Sequence, residues 1–388
     1  MTSRYDYWAS DSIYDEILEK ARDYYESGNY SDALKMYNEL VMTAGIDADI
    51  YHEAACCYYK LSEFTSAIAY FEKSLQLNDR RWNGFSLLAE CYFNLKKYDK
   101  AIYYSLRARA LKPESLQETL NLSKYYSENN MKFESFYYLN KAFQVLTDKR
   151  SDEYKRISGI LSSARYNADR YANSAYRAFS RKEFVSANNS YKQAWNEYPI
   201  SYDYNYNLAI INRDMRNSKE SIFYFLRALF LNPRETRIYM HIAAEYSKLR
   251  DYTRAYCFVK RYINTLITNP NQSEYLSAMK NLKMLEPHIN QSFSVEVSGL
   301  LATNKYLEAF YELENSLLIT DNEKNKIEFE KLEMLIFPEQ SLSKLYNSKG
   351  TDLYTQGKFK EANKFFTRVM EISSKDSAEY KFAKDRVR

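Results

Sequence analysis

Along most of the chain, apolar residues return three and four positions apart with charged or amide side chains between them, the spacing of one buried face on an α-helix. Residues 82–94, WNGFSLLAECYFN, set Phe85, Leu88 and Tyr92 on one such face. The punctuation between such segments is light. Gly and Pro number 7 and 6 in 388 residues, a depletion that disfavours turn-rich β architectures and suits helices joined by short loops. Pro113, Pro199 and Pro233 each follow a helical segment and stop it, while Gly28 and Gly357 fall in tight turns, where a positive φ is cheap.

The pattern also repeats over a longer distance. In NYSDALKMY, EFTSAIAYF and KYDKAIYYS the alanines Ala33, Ala67 and Ala101 are spaced 34 residues apart, and one more step reaches Ser135. A second run with the same spacing holds Ala187, Ser221 and Ala255, and later copies place Ala309 and Ala362. Between Ser135 and Ala187, Ala255 and Ala309, and Ala309 and Ala362 the gaps are 52, 54 and 53 residues. Each leaves room for about one extra helix and its loop beyond one repeat. Segments 152–165 (Tyr154, Ile157, Ile160, Leu161), 273–286 and 323–336 carry apolar residues spaced for one helix face and are predicted as those helices.

At these residues the chain resembles the tetratricopeptide-repeat (TPR) family, whose units have a large residue at position 4, small ones at 8, 20 and 27, and aromatics at 11, 17 and 24. The unit starting at Trp82 offers Phe85, Leu88, Ala89, Tyr92, Tyr98, Ala101, Ala108 and Pro113 at positions 4, 7, 8, 11, 17, 20, 27 and 32. The preceding unit offers Tyr51, Ala54, Ala55, Tyr58, Phe64, Ala67 and Phe71, and the last Tyr346, Gly350, Tyr354, Phe359, Ala362 and Phe366. The unit around Ala309 is degenerate, with Phe293 at position 4 but Glu296 at position 7. The resemblance implies an all-α, right-handed superhelical solenoid of about nine helical hairpins with extra inserted helices. Each unit is a helix A and a helix B, which bury their apolar faces by stacking on neighbours. Repeat phase divides the chain into an N-terminal stack of four repeats over 1–149, a second stack of three repeats after a connecting helix over 150–270, and irregular repeats with a capping helix over 271–388.

The same resemblance implies where a partner sits, because helix A lines the concave surface with positions 2, 5, 9, 12 and 13. In the first stack these positions hold Arg22, Tyr25, His52, Tyr59, Lys60, Glu90, Phe93 and Asn94, and in the second Tyr176, Phe179, Tyr206 and Arg213. Tyr25, Tyr59 and Phe93 form an aromatic row at position 12, read either as interface anchors or as packing against the next helix. The carboxylate clamp of some family members fits poorly. Its best register gives Ala172, Tyr176, Asn207, Arg237 and His241, of which Asn207 alone matches.

Charge and chemistry narrow the function. Fifty-five basic and 51 acidic residues leave a net charge of +4, too near balance for the basic stripe that RNA binding needs. His52, His241 and His288 are the three histidines and lack metal-ligand spacing; no phosphate-binding Gly-rich loop or nucleophile elbow occurs. Glu308, Glu312 and Glu314 read as solvated helix surface. The four cysteines, Cys56, Cys57, Cys91 and Cys257, contain no CxxC and read as small buried residues. No enzyme activity, metal or cofactor is expected. The expected role is a scaffold that binds a protein or peptide in the concave groove. The alternative is a self-assembling structural subunit, and RNA binding is disfavoured. No nucleic acid or membrane partner is expected. The N-terminus shows no leader, so the expected location is the cytoplasm, although a chain already trimmed of a leader would look the same.

Overall fold

The computed structural model describes residues 4–43, 47–266, 273–290, 297–320, 322–336, 342–373 and 378–387, and among them no strand occurs. Phe293 and Glu296 lie outside the described residues. The chain forms two compact units, Met1–Met131 and Lys132–Arg388. In the first, α1 (Arg4–Glu26) packs on α2 (Tyr30–Thr43), α3 (Ala48–Lys60) on α4 (Phe64–Leu77) and α5 (Trp82–Asn94) on α6 (Tyr98–Leu111), and α7 (Leu116–Glu128) follows. The second opens with α8 (Lys132–Val145). It continues with the pairs α9 (Asp152–Ser180) and α10 (Phe184–Glu197), α11 (Tyr202–Asp214) and α12 (Ser218–Leu231), and α13 (Ile238–Lys248) and α14 (Tyr252–Thr265). There follow α15 (Ser273–Leu285), a 3-10 turn Glu286–His288, α16 (Ser298–Ala302), α17 (Tyr306–Ile319), α18 (Glu323–Ile336), the pair α19 (Leu342–Thr355) and α20 (Phe359–Ile372), and α21 (Ala378–Lys384).

The recurring small residues sit where the axes touch. Ala33, Ala67, Ala101, Ala187, Ser221, Ala255, Ala309 and Ala362 are fully buried, and Ser135 nearly so. Position 8 is equally tight: Ala21, Ala55, Ala175 and Ala209 are buried, and Gly350 takes the same place in the last repeat. A Cβ added to Gly350 would come within 2.7 Å of the Phe366 ring, so only glycine fits there without displacing that side chain.

Each A-to-B turn closes on a left-handed residue. Gly28 and Gly357 have φ of 81° and 74°, and Ser62, Lys96, Asn130, Lys182, Arg216, Arg250 and Asn304 adopt φ between 54° and 63° at the equivalent place. Around Ser62 the bonds are those of a Schellman cap: Ser62 N–H donates to the Tyr59 carbonyl and Glu63 N–H to that of Tyr58, at 3.0 and 2.9 Å. The same pair recurs at Lys96–Lys97, Arg216–Asn217 and Arg250–Asp251. The turn is thus set by hydrogen bonding and stacking even where no glycine lowers its strain.

Two expectations change in detail. The inserted segment 152–165 is not a separate helix: it runs without a break into helix A of the fifth repeat, giving the 29-residue α9. No Gly or Pro lies between Leu161 and Ser180 to stop it. Glu308, Glu312 and Glu314 are not a solvated face. Helix α17 is packed against α14, α18 and α20, and Arg227, Arg254 and Arg261 neutralise the three carboxylates at 3.4, 2.9 and 2.8 Å. Arg368 also reaches Glu314, at 3.4 Å, and both side chains are buried. The C-terminal helix α21 is amphipathic: it buries Ala383 and sets Phe382 against Phe366 in the core of the last repeat.

Candidate protein-binding faces of the A helices

In the first unit the A helices α1, α3, α5 and α7 are joined by side chains at the inner repeat positions. Arg22, on α1, pairs with Glu53 on α3 at 2.9 Å, its exposed guanidinium held by the carboxylate. Tyr59 donates to Glu90 at 2.5 Å, linking α3 to α5. Phe93 stacks on Tyr125 of α7 with ring centres 4.7 Å apart, and the Lys124 ammonium lies 4.2 Å above the Phe93 ring. His52 is buried against the Phe71 ring and within 3.4 Å of the Asn83 amide, and burial holds its pKa below the ordinary imidazole value. Lys60 and Asn94 remain exposed, the Asn94 amide donating back to the Glu90 carbonyl at 2.9 Å.

The position-12 aromatics have a second, local partner. Tyr25 meets Tyr30, Tyr59 meets Phe64 and Phe93 meets Tyr98, with centroids 5.2, 6.1 and 5.6 Å apart. In the second unit Phe179 meets Phe184 and Tyr354 meets Phe359, at 5.9 and 4.9 Å. Each pair spans one Schellman turn and clasps the top of its hairpin, so all three members of the row are half-buried. Burial pushes the Tyr25 hydroxyl up to about 12, and raises that of Tyr59 further with help from Glu90. The row is therefore part of the packing, each ring keeping only part of its surface exposed.

In the second unit Tyr206 stacks on Tyr202 at 5.7 Å and meets Phe225 edge-on at 5.9 Å, and His241 lies flat on Phe225 at 5.2 Å. Burial, then the charge of Arg213, lowers the His241 pKa. Arg213 is half-buried and pairs with its neighbour Asp214. Asn207, the clamp-like amide, already donates to the Tyr191 hydroxyl at 3.1 Å. Tyr176 differs from the rest: its side chain is 65% exposed. The partners Glu53, Lys124 and Tyr125 were not marked by the sequence pattern. They fall at positions 6, 9 and 10 of the next repeat, so their role shows only when successive A helices are read together.

Chemistry is sparse around these faces. Among the described residues no three His, Cys, Asp or Glu side chains gather as a metal site would require. Burial pushes the thiols of Cys56, Cys57, Cys91 and Cys257 up to about 12, leaving them protonated and unreactive near neutral pH. Among the described residues no helix is long and apolar enough to cross a membrane.

Paired helices on a 34-residue pitch, sealed by small residues, define a helical-repeat protein of the kind that serves as a protein-interaction scaffold. The tetratricopeptide repeat family model matches residues 202–235, and that of anaphase-promoting complex, cyclosome, subunit 3 matches residues 26–108. The chain is a tetratricopeptide-repeat protein. It is 23% identical over 307 residues to the BBSome complex member BBS4 of Bos taurus, covering 71% of this chain and 58% of that protein. The chain thus spans 58% of the length of this curated relative. Among solved structures it is similar to a tetratricopeptide repeat protein from Parabacteroides merdae, with 11% identity, a TM-score of 0.33 and coverage of 70% and 98% of the two chains. The TPR domain of P58(IPK) gives 13% identity, a TM-score of 0.31 and coverage of 88% and 97%.

Proposed function

We propose that this chain is a non-catalytic scaffold that holds a segment of another protein along the exposed faces of its A helices. The observation that carries this reading is the division of labour within each repeat. Small and aromatic positions are consumed by packing, whereas Lys60 and Asn94 in the first unit, and Tyr176 in the second, stay exposed on helices held rigid by their hairpins. Exposed side chains on rigid elements supply interface contacts at little ordering cost. The test is a quantitative pull-down from native cells with full-length Lys60→Glu/Asn94→Arg and Tyr176→Ala. Two charge reversals on exposed B-helix positions, Lys35→Glu and Lys219→Glu, serve as controls. Partners should be lost with the A-face changes and kept with the controls, at unchanged melting temperature. The opposite pattern would sink the reading.

A second reading, a structural subunit within a larger assembly, is favoured by the similarity to a BBSome complex member. Light scattering over a concentration series separates self-assembly from a monomer that needs other subunits. A strict monomer at high concentration removes self-assembly.

A further inference from the structure

Helix α9 holds a surface that starts in the inserted segment and runs on into helix A of the fifth repeat. Its 29 residues span about 43 Å, because the inserted segment is fused to helix A of the fifth repeat. Ile157, Leu161, Ala168, Ala175 and Ala178 form its buried side. On the other side Tyr166 and Tyr176 are 68% and 65% exposed, with Arg170, Asn173 and Arg177 exposed between and beside them. Positions 166, 170, 173 and 177 fall in one stripe by helical spacing, and the exposed Arg165 flanks it.

The stripe is cationic, and Arg165 lies close enough to Tyr198 and Tyr204 to offset part of the rise that burial gives their pKa values. Nearer the N-terminus of α9, Arg156 pairs with Glu153 at 2.5 Å and Lys155 with Asp152 at 3.7 Å. Among the described residues, Arg165, Arg170 and Arg177 have no such carboxylate. The one acid on this face, Asp169, accepts a hydrogen bond from the Tyr204 hydroxyl at 2.5 Å. Tyr and Arg are the residue types that anchor protein interfaces, and a guanidinium fork binds a carboxylate through two parallel hydrogen bonds. A Tyr side chain left two-thirds exposed at both ends of an otherwise polar stripe contributes little to the hairpin itself.

We propose that this stripe of α9 docks an acidic protein segment bearing apolar or aromatic anchors, the carboxylates meeting Arg165, Arg170 and Arg177 and the anchors meeting Tyr166 and Tyr176. The inference rests on the reading of A-helix faces as binding surfaces and gives that reading a partner chemistry. Charge complementarity selects the occupant. Nucleic acid would also meet Arg and Tyr, but three arginines on a chain of net charge +4 fall short of the longer basic track that phosphates require.

The test presents the full-length chain with an array of synthetic peptides that share Phe and Leu anchors and differ in net charge, and with a uridine oligomer. The best binder is then measured by fluorescence anisotropy at low and high salt. Acidic anchored peptides should be selected. Arg165→Glu/Arg170→Glu/Arg177→Glu should weaken binding by at least about tenfold and flatten the salt dependence, and Tyr166→Ala/Tyr176→Ala should weaken it by about tenfold. Lys219→Glu should change nothing. These side chains are exposed, so circular dichroism melts of all variants should match wild type. Selection of neutral or basic peptides, equal binding by the charge-reversed variant, or capture of the uridine oligomer in place of peptide would overturn the inference. Peptides lost on Lys60→Glu but not on the α9 changes would overturn it while leaving the scaffold reading intact; no selection of any peptide would overturn both.

Discussion

Replacing Phe93 by alanine separates the structural from the functional use of the position-12 aromatics. The ring makes two aromatic contacts, tilted against Tyr98 inside its hairpin and stacked with Tyr125 on the next A helix, and it receives the Lys124 ammonium. Each aromatic pair is worth roughly 0.5–1.5 kcal/mol beyond area burial, and removing a fully buried Phe costs about 3–5 kcal/mol. For a half-buried ring with two partners the expected loss is about 2–3 kcal/mol, the Tyr125 contact supplying the part that couples neighbouring repeats. Stability in such arrays is local and unfolding need not be two-state, so the assay is hydrogen exchange by mass spectrometry on the full-length chain. Protection should fall in α5, α6 and α7 and hold in α11 and α12. Phe93→Leu, which keeps bulk without the ring, should recover part of it. Wild-type protection throughout α5–α7 in Phe93→Ala would refute the packing argument and return Phe93 to the list of free groove residues.

Other outcomes follow from the same contacts. Lys96→Gly relieves a left-handed residue at φ 58° and should raise local stability by about 0.5–1 kcal/mol, whereas Gly28→Ala should lower it by a similar amount; urea melts that move the other way contradict the turn assignment. Glu314→Ala strips the carboxylate from buried Arg261 and Arg368 and should cost about 3–5 kcal/mol, read as a fall in the temperature at which exchange in α14, α17 and α20 accelerates. Glu118 is buried beneath Ser86 and Ser105, whose hydroxyls donate to it; burial raises its pKa above 4.5 and the two hydrogen bonds offset part of that rise. A raised value means the fold favours the protonated form. Its contribution is complete below the ordinary glutamate range and fades as pH climbs through the raised value. Glu118→Gln should therefore flatten the melting temperature against pH on that side, and curves parallel to wild type would contradict it.

Much of this fold is legible in the residues themselves. Ala33, Ala67, Ala101, Ala187 and Ala255 mark the helix contacts because a larger side chain cannot enter where two axes nest, so volume leaves a direct trace in the sequence. The left-handed turns leave almost none. Seven of the nine use Ser, Lys, Asn or Arg in place of Gly, because the capping hydrogen bonds and the aromatic clasp impose the conformation. The continuity of α9 is a negative signal, the lack of any breaker between Leu161 and Ser180, and is easily missed when units are counted by phase. The buried carboxylates of α17 look like ordinary surface because their arginine partners lie as far as 81 residues away, as with Arg227 and Glu308. The candidate faces were legible by position but not by role. Repeat numbering finds Tyr25, Tyr59 and Phe93, yet only the ring contacts at position 17 show how much of each is used in packing.

The proposed partner meets helix A and not helix B. The most direct measurement is hydrogen exchange of the full-length chain bound to the protein that co-purifies with it, against the chain alone. Slowed exchange concentrated in α3, α5, α9 and α11, with α4, α6, α10 and α12 unchanged, is the predicted footprint. Slowing confined to those four B helices, with the A helices unaffected, would contradict the account.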